Sequence, residues 1–137
     1  MSELVYRRVM VKLSGEALNA RGGDSALDVP AIHEIGTKLK AMVDAGAQIA
    51  LVIGGGNFFR GLPASRSGKI RRCTADSIGM LATVMNGLAL RDGIESCGVR
   101  SELRSALPIP GMVLPFEHGE ADCLLSEGVV LVLAGGT

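Results

Sequence analysis

Three short stretches combine glycine with a charged or polar neighbour directly after an apolar run: Lys12-Leu13-Ser14-Gly15, Gly54-Gly55-Gly56-Asn57 with Arg60 three residues on, and Gly135-Gly136-Thr137. Glycine lets the main chain approach phosphate oxygens and aim its N–H groups at them, since no Cβ intervenes. A lysine at a strand end adds a point charge that can follow a phosphoryl group through transfer, and an arginine adds a planar fork for phosphate. These residue types therefore point to phosphate chemistry. A single glycine after a strand is ordinary turn chemistry, but three in a row followed by Asn57 and Arg60 go beyond it. Neither G-x-G-x-x-G nor a loop ending in G-K-[ST] is present, so the pattern is not the Rossmann fingerprint or a Walker A loop. Other readings stay open residue by residue. Lys12 is also compatible with the end of a strand in solvent. Asp76 is also compatible with a helix cap or a first-turn carboxylate favoured by the helix dipole. His33 and His118 show no Cys, Asp or Glu constellation in the sequence and read as structural or solvated.

The elements that must hold these residues alternate. Tyr6 to Leu13 reads as a strand, and Gln48 to Ile53 is a near-continuous apolar run, the mark of a strand covered on both faces. Between them Asp28 starts a helix whose apolar positions Ile32, Ile35, Leu39, Met42 and Val43 recur at helical spacing, with Gly46 as its stop. A longer helix is expected from about Ala75 to Ser96, with Ile78, Leu81, Ala82, Met85, Leu88 and Ala89 on one stripe. Val99 to Leu103 and Val129 to Ala134 supply further strands, with a helix over Glu117 to Ser126 between them. The Gly61 to Arg72 stretch reads as a mobile loop. Strand, helix, strand in this order means an α/β fold, a mostly parallel sheet sandwiched by helices, whose ligand sits at the carboxyl ends of the strands.

Composition sets the bounds. With 137 residues and 47% hydrophobic content the chain supports one core, hence a single α/β domain over residues 1–137. The longest purely apolar run, Val129 to Ala134, is far short of a membrane span, and no apolar h-region opens the chain, so no membrane partner is expected. Three separated cysteines, Cys73, Cys97 and Cys123, suggest neither a disulfide framework nor a zinc site and read as reduced cytosolic thiols. Formal net charge is zero, but residues 1–91 carry twelve Lys/Arg against seven Asp/Glu, and residues 92–137 carry two against seven. That asymmetry suggests an anion site in the first part. With three Phe and one Tyr to stack bases and a short basic run at Arg66, Lys69, Arg71 and Arg72, no nucleic-acid partner is expected.

The stretches VKLSGEAL at 11–18, VIGGGNFFRG at 52–61 and ADSIGMLATVMNGLALRD at 75–92 resemble the bacterial uridylate (UMP) kinases of the amino acid kinase family. The resemblance covers nearly the whole chain. It implies transfer of the γ-phosphoryl group of ATP to the 5′-phosphate of UMP, giving UDP, with Mg2+ accompanying ATP, in pyrimidine nucleotide synthesis by a cytoplasmic homohexamer. Matched position by position, Lys12, Leu13, Ser14 and Gly15 would line the ATP phosphates, Gly56 and Arg60 would contact the transferring phosphate, and Gly55 and Asp76 would hold UMP. Lys12 and Arg60 would be the catalytic residues, and no residue is assigned to a metal. Thr137 matches the first residue of a Thr-Gly-Asn-Pro-type loop that closes over UMP. Two alternatives accompany this reading: a relative that phosphorylates a carboxylate or carbamate, or a nucleotide-binding regulator without catalysis.

The chain also departs from the family pattern. Family members continue well beyond the position of Thr137, so the chain is expected to be the N-terminal part of the fold, inactive alone and exposing Val129 to Ala134 as an apolar edge. Ala75-Asp76-Ser77-Ile78 stands where the family usually has Gly-Asp-His-Met, keeping the aspartate. Glu95, Glu102 and Gly128 occupy places where many relatives carry basic side chains for GTP, which implies weak activation by GTP.

Overall fold

The computed structural model describes residues 3–59 and 61–136. Its first strand, β1 (Arg8–Leu13), alternates: Val9, Val11 and Leu13 are half-buried while Arg8, Met10 and Lys12 are exposed. This is the period-2 signature of an edge strand with one face on the core. The strand starts two residues later than Tyr6, which stays solvent-exposed. It pairs in parallel with β2 (Gln48–Ile53) in a register that sets Lys12 opposite Val52 and Leu13 opposite Ile53. The helix between them, α1 (Val29–Asp44), starts as expected: the Asp28 carboxylate accepts the N–H of Ala31 at 3.2 Å, and a proline stands in the first turn. It stops just before Gly46, whose φ of +95° is one that only glycine adopts without strain.

The sheet is parallel throughout, in the order β1-β2-β5-β3-β4, with β3 (Ser101–Ser105), β4 (Leu114–Pro115) and β5 (Val130–Ala134). β5 is therefore central. Val130 and Val132 are completely buried between β2 and β3, so the expected apolar edge at Val129 to Ala134 does not exist. The edges are β1 and β4, and the two-residue β4 had no sequence signal.

One face of the sheet packs on α1 and on α3 (Arg72–Ser96): Leu51, Ile53, Val130, Val132 and Leu103 meet Ile32, Leu39, Val84, Leu90 and Ile94 in one cluster. Full burial of each such large aliphatic side chain stabilises the fold by about 1.5–3 kcal/mol. α3 is long and apolar enough to cross a membrane, yet here it is the core helix of this face. It begins three residues before Ala75, and its buried side differs from the expected stripe. Leu81 and Met85 are 45% exposed, whereas Ala75, Ala82, Thr83, Asn86, Gly87, Leu90 and Ile94 are buried. Small residues win this side because the approach is close: a Cβ at Gly87 would fall 2.6 Å from Leu103 Cδ1. The Gly61 to Arg72 stretch is not all loop either, since it opens with the short helix α2 (Gly61–Arg66).

The opposite face is covered in part by α4 (His118–Ser126), whose Ala121 and Leu125 rest on Ala50 and Leu131. Arg104 locks this helix to the sheet. The residue is 5% exposed, and its guanidinium donates to both carboxylate oxygens of Glu120 (2.8 and 3.3 Å), to Glu102 (2.9 Å) and to the Leu103 carbonyl (3.0 Å). The hydrogen bond from Arg104, aided by its charge, holds Glu120 below its ordinary 4.5. Glu117 is likewise held low by the N–H groups of Glu120 and Gly119 at the start of α4. Because the folded values are depressed, this stabilisation is fully present above the ordinary carboxylate range and is lost as pH falls through the lowered folded values. The melting temperature is therefore expected to fall on acidification below about 4.5. Arg104→Met should melt lower at pH 7 and lose less on acidification. Equal acid slopes for the two proteins would remove Arg104 from this role.

Candidate functional site

At the carboxyl ends of β1 and β2 the two glycine segments interlock. The Gly54 N–H donates to the Leu13 carbonyl (2.9 Å), and after Ser14 the chain winds into a short 3-10 helix at Gly15–Asn19. A Cβ on Gly15 would stand 2.5 Å from Asn57 Oδ1 and 2.6 Å from the Gly56 nitrogen. A Cβ on Gly55 would stand 2.8 Å from Ala82 Cβ and 2.9 Å from the Gly79 carbonyl on α3. Much of the glycine run is thus explained by close packing: the loop after β2 is squeezed between the loop after β1 and the side of α3. Gly56 is the open one on its Cβ side, with nothing nearer to such a Cβ than Glu16 Oε1 at 3.6 Å, although its nitrogen packs against Gly15.

Asn57 does not face the ligand space. It forms a reciprocal amide pair with Asn86 of α3, Nδ2 to Oδ1 at 3.0 Å one way and 2.7 Å the other. The remaining Asn57 donor goes to the Ala26 carbonyl (2.8 Å), and the remaining Asn86 donor to the Gly54 carbonyl (2.7 Å). Asn86 is fully buried and all four amide donors are used, which is how a buried polar pair stabilises rather than costs. The latch holds the glycine loop at one height above the sheet. A second tie fixes the chain beyond β5: Thr83 on α3 donates to the Met80 carbonyl (2.6 Å) and accepts the Gly135 N–H (2.7 Å).

Between the glycine loop, the strand ends and the first half of α3 lies a cavity of about 280 Å³. Lys12 stands at its β1 side, Gly54 to Gly56 form one wall, and Arg72, Asp76 and Thr83 project from α3, over an apolar floor that includes Val52 and Met80. Lys12, Gly55, Gly56 and Asp76, four of the residues singled out in the sequence, line this one cavity. Leu13, Ser14 and Gly15 sit beside the cavity and do not line it; Leu13 packs toward the core and Gly15 is buried under the Gly54–Asn57 loop. Arg60 and Thr137 lie outside the described residues.

Asp76 is neither cap nor first-turn residue. α3 starts at Arg72 with Arg71 as its N-cap, so Asp76 is a turn further in, its carboxylate accepting from Arg72 Nε at 2.8 Å. Both partners are well exposed, so the pair adds little to stability. Its effect is on position and charge: Arg72 orients the carboxylate and offsets its negative charge. Arg72 and Thr83 are site residues that the sequence reading missed. The signal for Arg72 was there, four residues before Asp76 on one helical face. Among the described residues, no group of three or more His, Cys, Asp or Glu stands together as a metal site.

The geometry defines an open α/β protein whose ligand space lies in the crevice at the carboxyl ends of parallel strands, with one lysine and one glycine loop at its mouth. The chain belongs to the amino acid kinase family, whose model matches residues 7–137. Similar proteins include a uridylate kinase of Psychromonas ingrahamii, 42% identical over 132 residues, which are 96% of this chain and 52% of that protein. A uridylate kinase of Escherichia coli K12 is 41% identical over 97% of this chain and 54% of its own length. Among solved structures, the UMP kinase of Bacillus anthracis superposes with a TM-score of 0.87 at 34% identity, covering 96% of this chain and 54% of that one. The chain spans about half the length of the curated relatives it matches.

Proposed function

We propose that residues 1–137 form the N-terminal, UMP- and phosphate-binding part of an ATP-dependent UMP kinase. The observation that carries this reading is the single cavity in which Lys12, the Gly54–Gly56 loop and an arginine-held aspartate meet. In the reaction, both substrates are anions and the phosphate of UMP is itself the nucleophile, so the protein needs no nucleophilic side chain. What it offers is position and cationic or N–H stabilisation of the transferring group. Lys12 supplies the charge, and Gly56, open on its Cβ side, lets the transferring phosphate come close to the main chain. Asp76, oriented by Arg72, accepts hydrogen bonds from the ribose hydroxyls of UMP. Arg60 as a second cation on the transferring phosphate, Leu13 to Gly15 along the ATP phosphates, and Thr137 over UMP belong to the same reading. Magnesium would accompany ATP, held through phosphate and water with no side chain of this chain assigned to it. Homohexameric assembly and a cytoplasmic setting are also part of it. Glu102, one of the acids standing where relatives carry GTP-binding cations, is engaged by Arg104, so it serves the fold of this face as well.

The test is UDP formation from ATP and UMP by the full-length protein, with N-acetylglutamate, aspartate and carbamate as competing acceptors. Asp76→Asn keeps the shape and removes the anionic acceptor, so UMP affinity is expected to weaken by about 1.5–3 kcal/mol, the range for hydrogen bonds to charged groups. The melting temperature should hardly move, because the Arg72 pair is exposed. Transfer to a carboxylate in preference to UMP, or an unchanged UMP affinity in Asp76→Asn, would overturn the assignment.

A further inference from the structure

His33 does have a thiol beside it, from 64 residues further along the chain. Cys97 follows the last turn of α3, and its Sγ lies against α1, 3.5 Å from His33 Nδ1, 3.7 Å from the His33 carbonyl and 3.9 Å from Thr37 Oγ1. The seat depends on Gly36, where a Cβ would come within 2.7 Å of the sulfur. The Thr37 hydroxyl is within reach of the His33 carbonyl at 3.1 Å, so the residues around the sulfur are themselves tied to α1. Next to this pair runs an apolar groove of about 730 Å³ between α1 and α3, bordered by His33, Ile32, Gly93 and Ser96. Its one carboxylate, Asp92, is paired with Arg91, and on α1 Glu34 is paired with Lys38.

We propose that Cys97 is a thiol-modification site in which His33 acts as general base, and that the reagent it takes is a small disulfide. The thiolate, not the thiol, is the nucleophile. As the Cys97 sulfur attacks one sulfur of the disulfide, its proton passes to His33 Nδ1. The Cys97–S bond to that sulfur forms, the original S–S bond breaks, and the other half leaves as a thiolate. Cys97 is oxidised to a mixed disulfide while one equivalent of small thiol is released. The groove opens beside the sulfur, at His33 and at Ser96, the residue before Cys97. Cys73 and Cys123 are both more exposed than Cys97, but among the described residues neither thiol has a histidine partner.

The test treats the protein with oxidised glutathione at neutral pH and follows each cysteine by peptide mass spectrometry. Cys97 is expected to react faster than Cys73 and Cys123 although it is less exposed. A positioned general base contributes on the order of 100-fold, so His33→Gln should slow Cys97 by roughly 10-fold or more and leave the other two rates, which serve as internal controls, unchanged. His33 is exposed, and a melting curve of the variant checks that α1 still packs. A Cys97 rate below those of Cys73 and Cys123, or one that His33→Gln does not change, overturns the proposal.

Discussion

Lys12→Ala in the full-length enzyme is expected to lower kcat by about 100-fold or more, the scale for losing one preorganised charge donor, with a much smaller change in UMP affinity. The reasoning starts from place. Lys12 is the penultimate residue of β1, on the outward side of the pleat, and its register opposite Val52 puts it beside the start of the glycine loop. It borders the cavity without an ion-pair partner among the described residues, so its charge is available to a phosphoryl group. The fold should tolerate the change, since the side chain is exposed. Steady-state kinetics over a range of UMP and ATP concentrations provide the check. An unaltered kcat would return Lys12 to the role of a plain strand end.

Asn86→Ala is expected to cost about 2–4 kcal/mol of stability, combining a lost buried volume with the stranded hydrogen-bonding groups of Asn57 and Gly54. Asn86 is completely buried on α3, and its amide is the only side chain seen to join that helix to both the Gly54 carbonyl and Asn57 among the described residues. Without it the Asn57 amide loses a donor's target and an acceptor's source, and the glycine loop loses its fixed height. Urea unfolding measures the stability, and kinetics of the folded variant should show a weaker site. Asn57→Ala should give a smaller loss, because Asn57 is only half-buried and its truncation removes less buried volume. If the double variant loses as much as the two singles added together, the pair is not coupled and the latch reading fails.

Where a structural cause acts over a few residues, it was legible in the chain. The Asp28 cap, the glycine at position 46, the apolar run of β2 and the Glu117 to Ser126 helix each rest on chemistry within one or two turns, and each stands where expected. The same holds for Lys12 and the Gly54 to Gly56 run as neighbours of a strand end, because a parallel α/β order alone sends both ends to one side of the sheet. Tertiary contacts decided the rest. That β5 is central, and not an exposed edge, follows from which strand it pairs with, a choice among partners about 80 residues apart that local hydrophobicity does not encode. The buried side of α3 is set by closeness, so small residues and Asn86 lie inward while Leu81 and Met85 lie outward, the reverse of a ranking by hydrophobicity. The Asn57–Asn86 latch and the Thr83–Gly135 tie join residues 29 and 52 positions apart. Their donors and acceptors are indistinguishable from solvated polar groups until folding removes the water that would otherwise satisfy them.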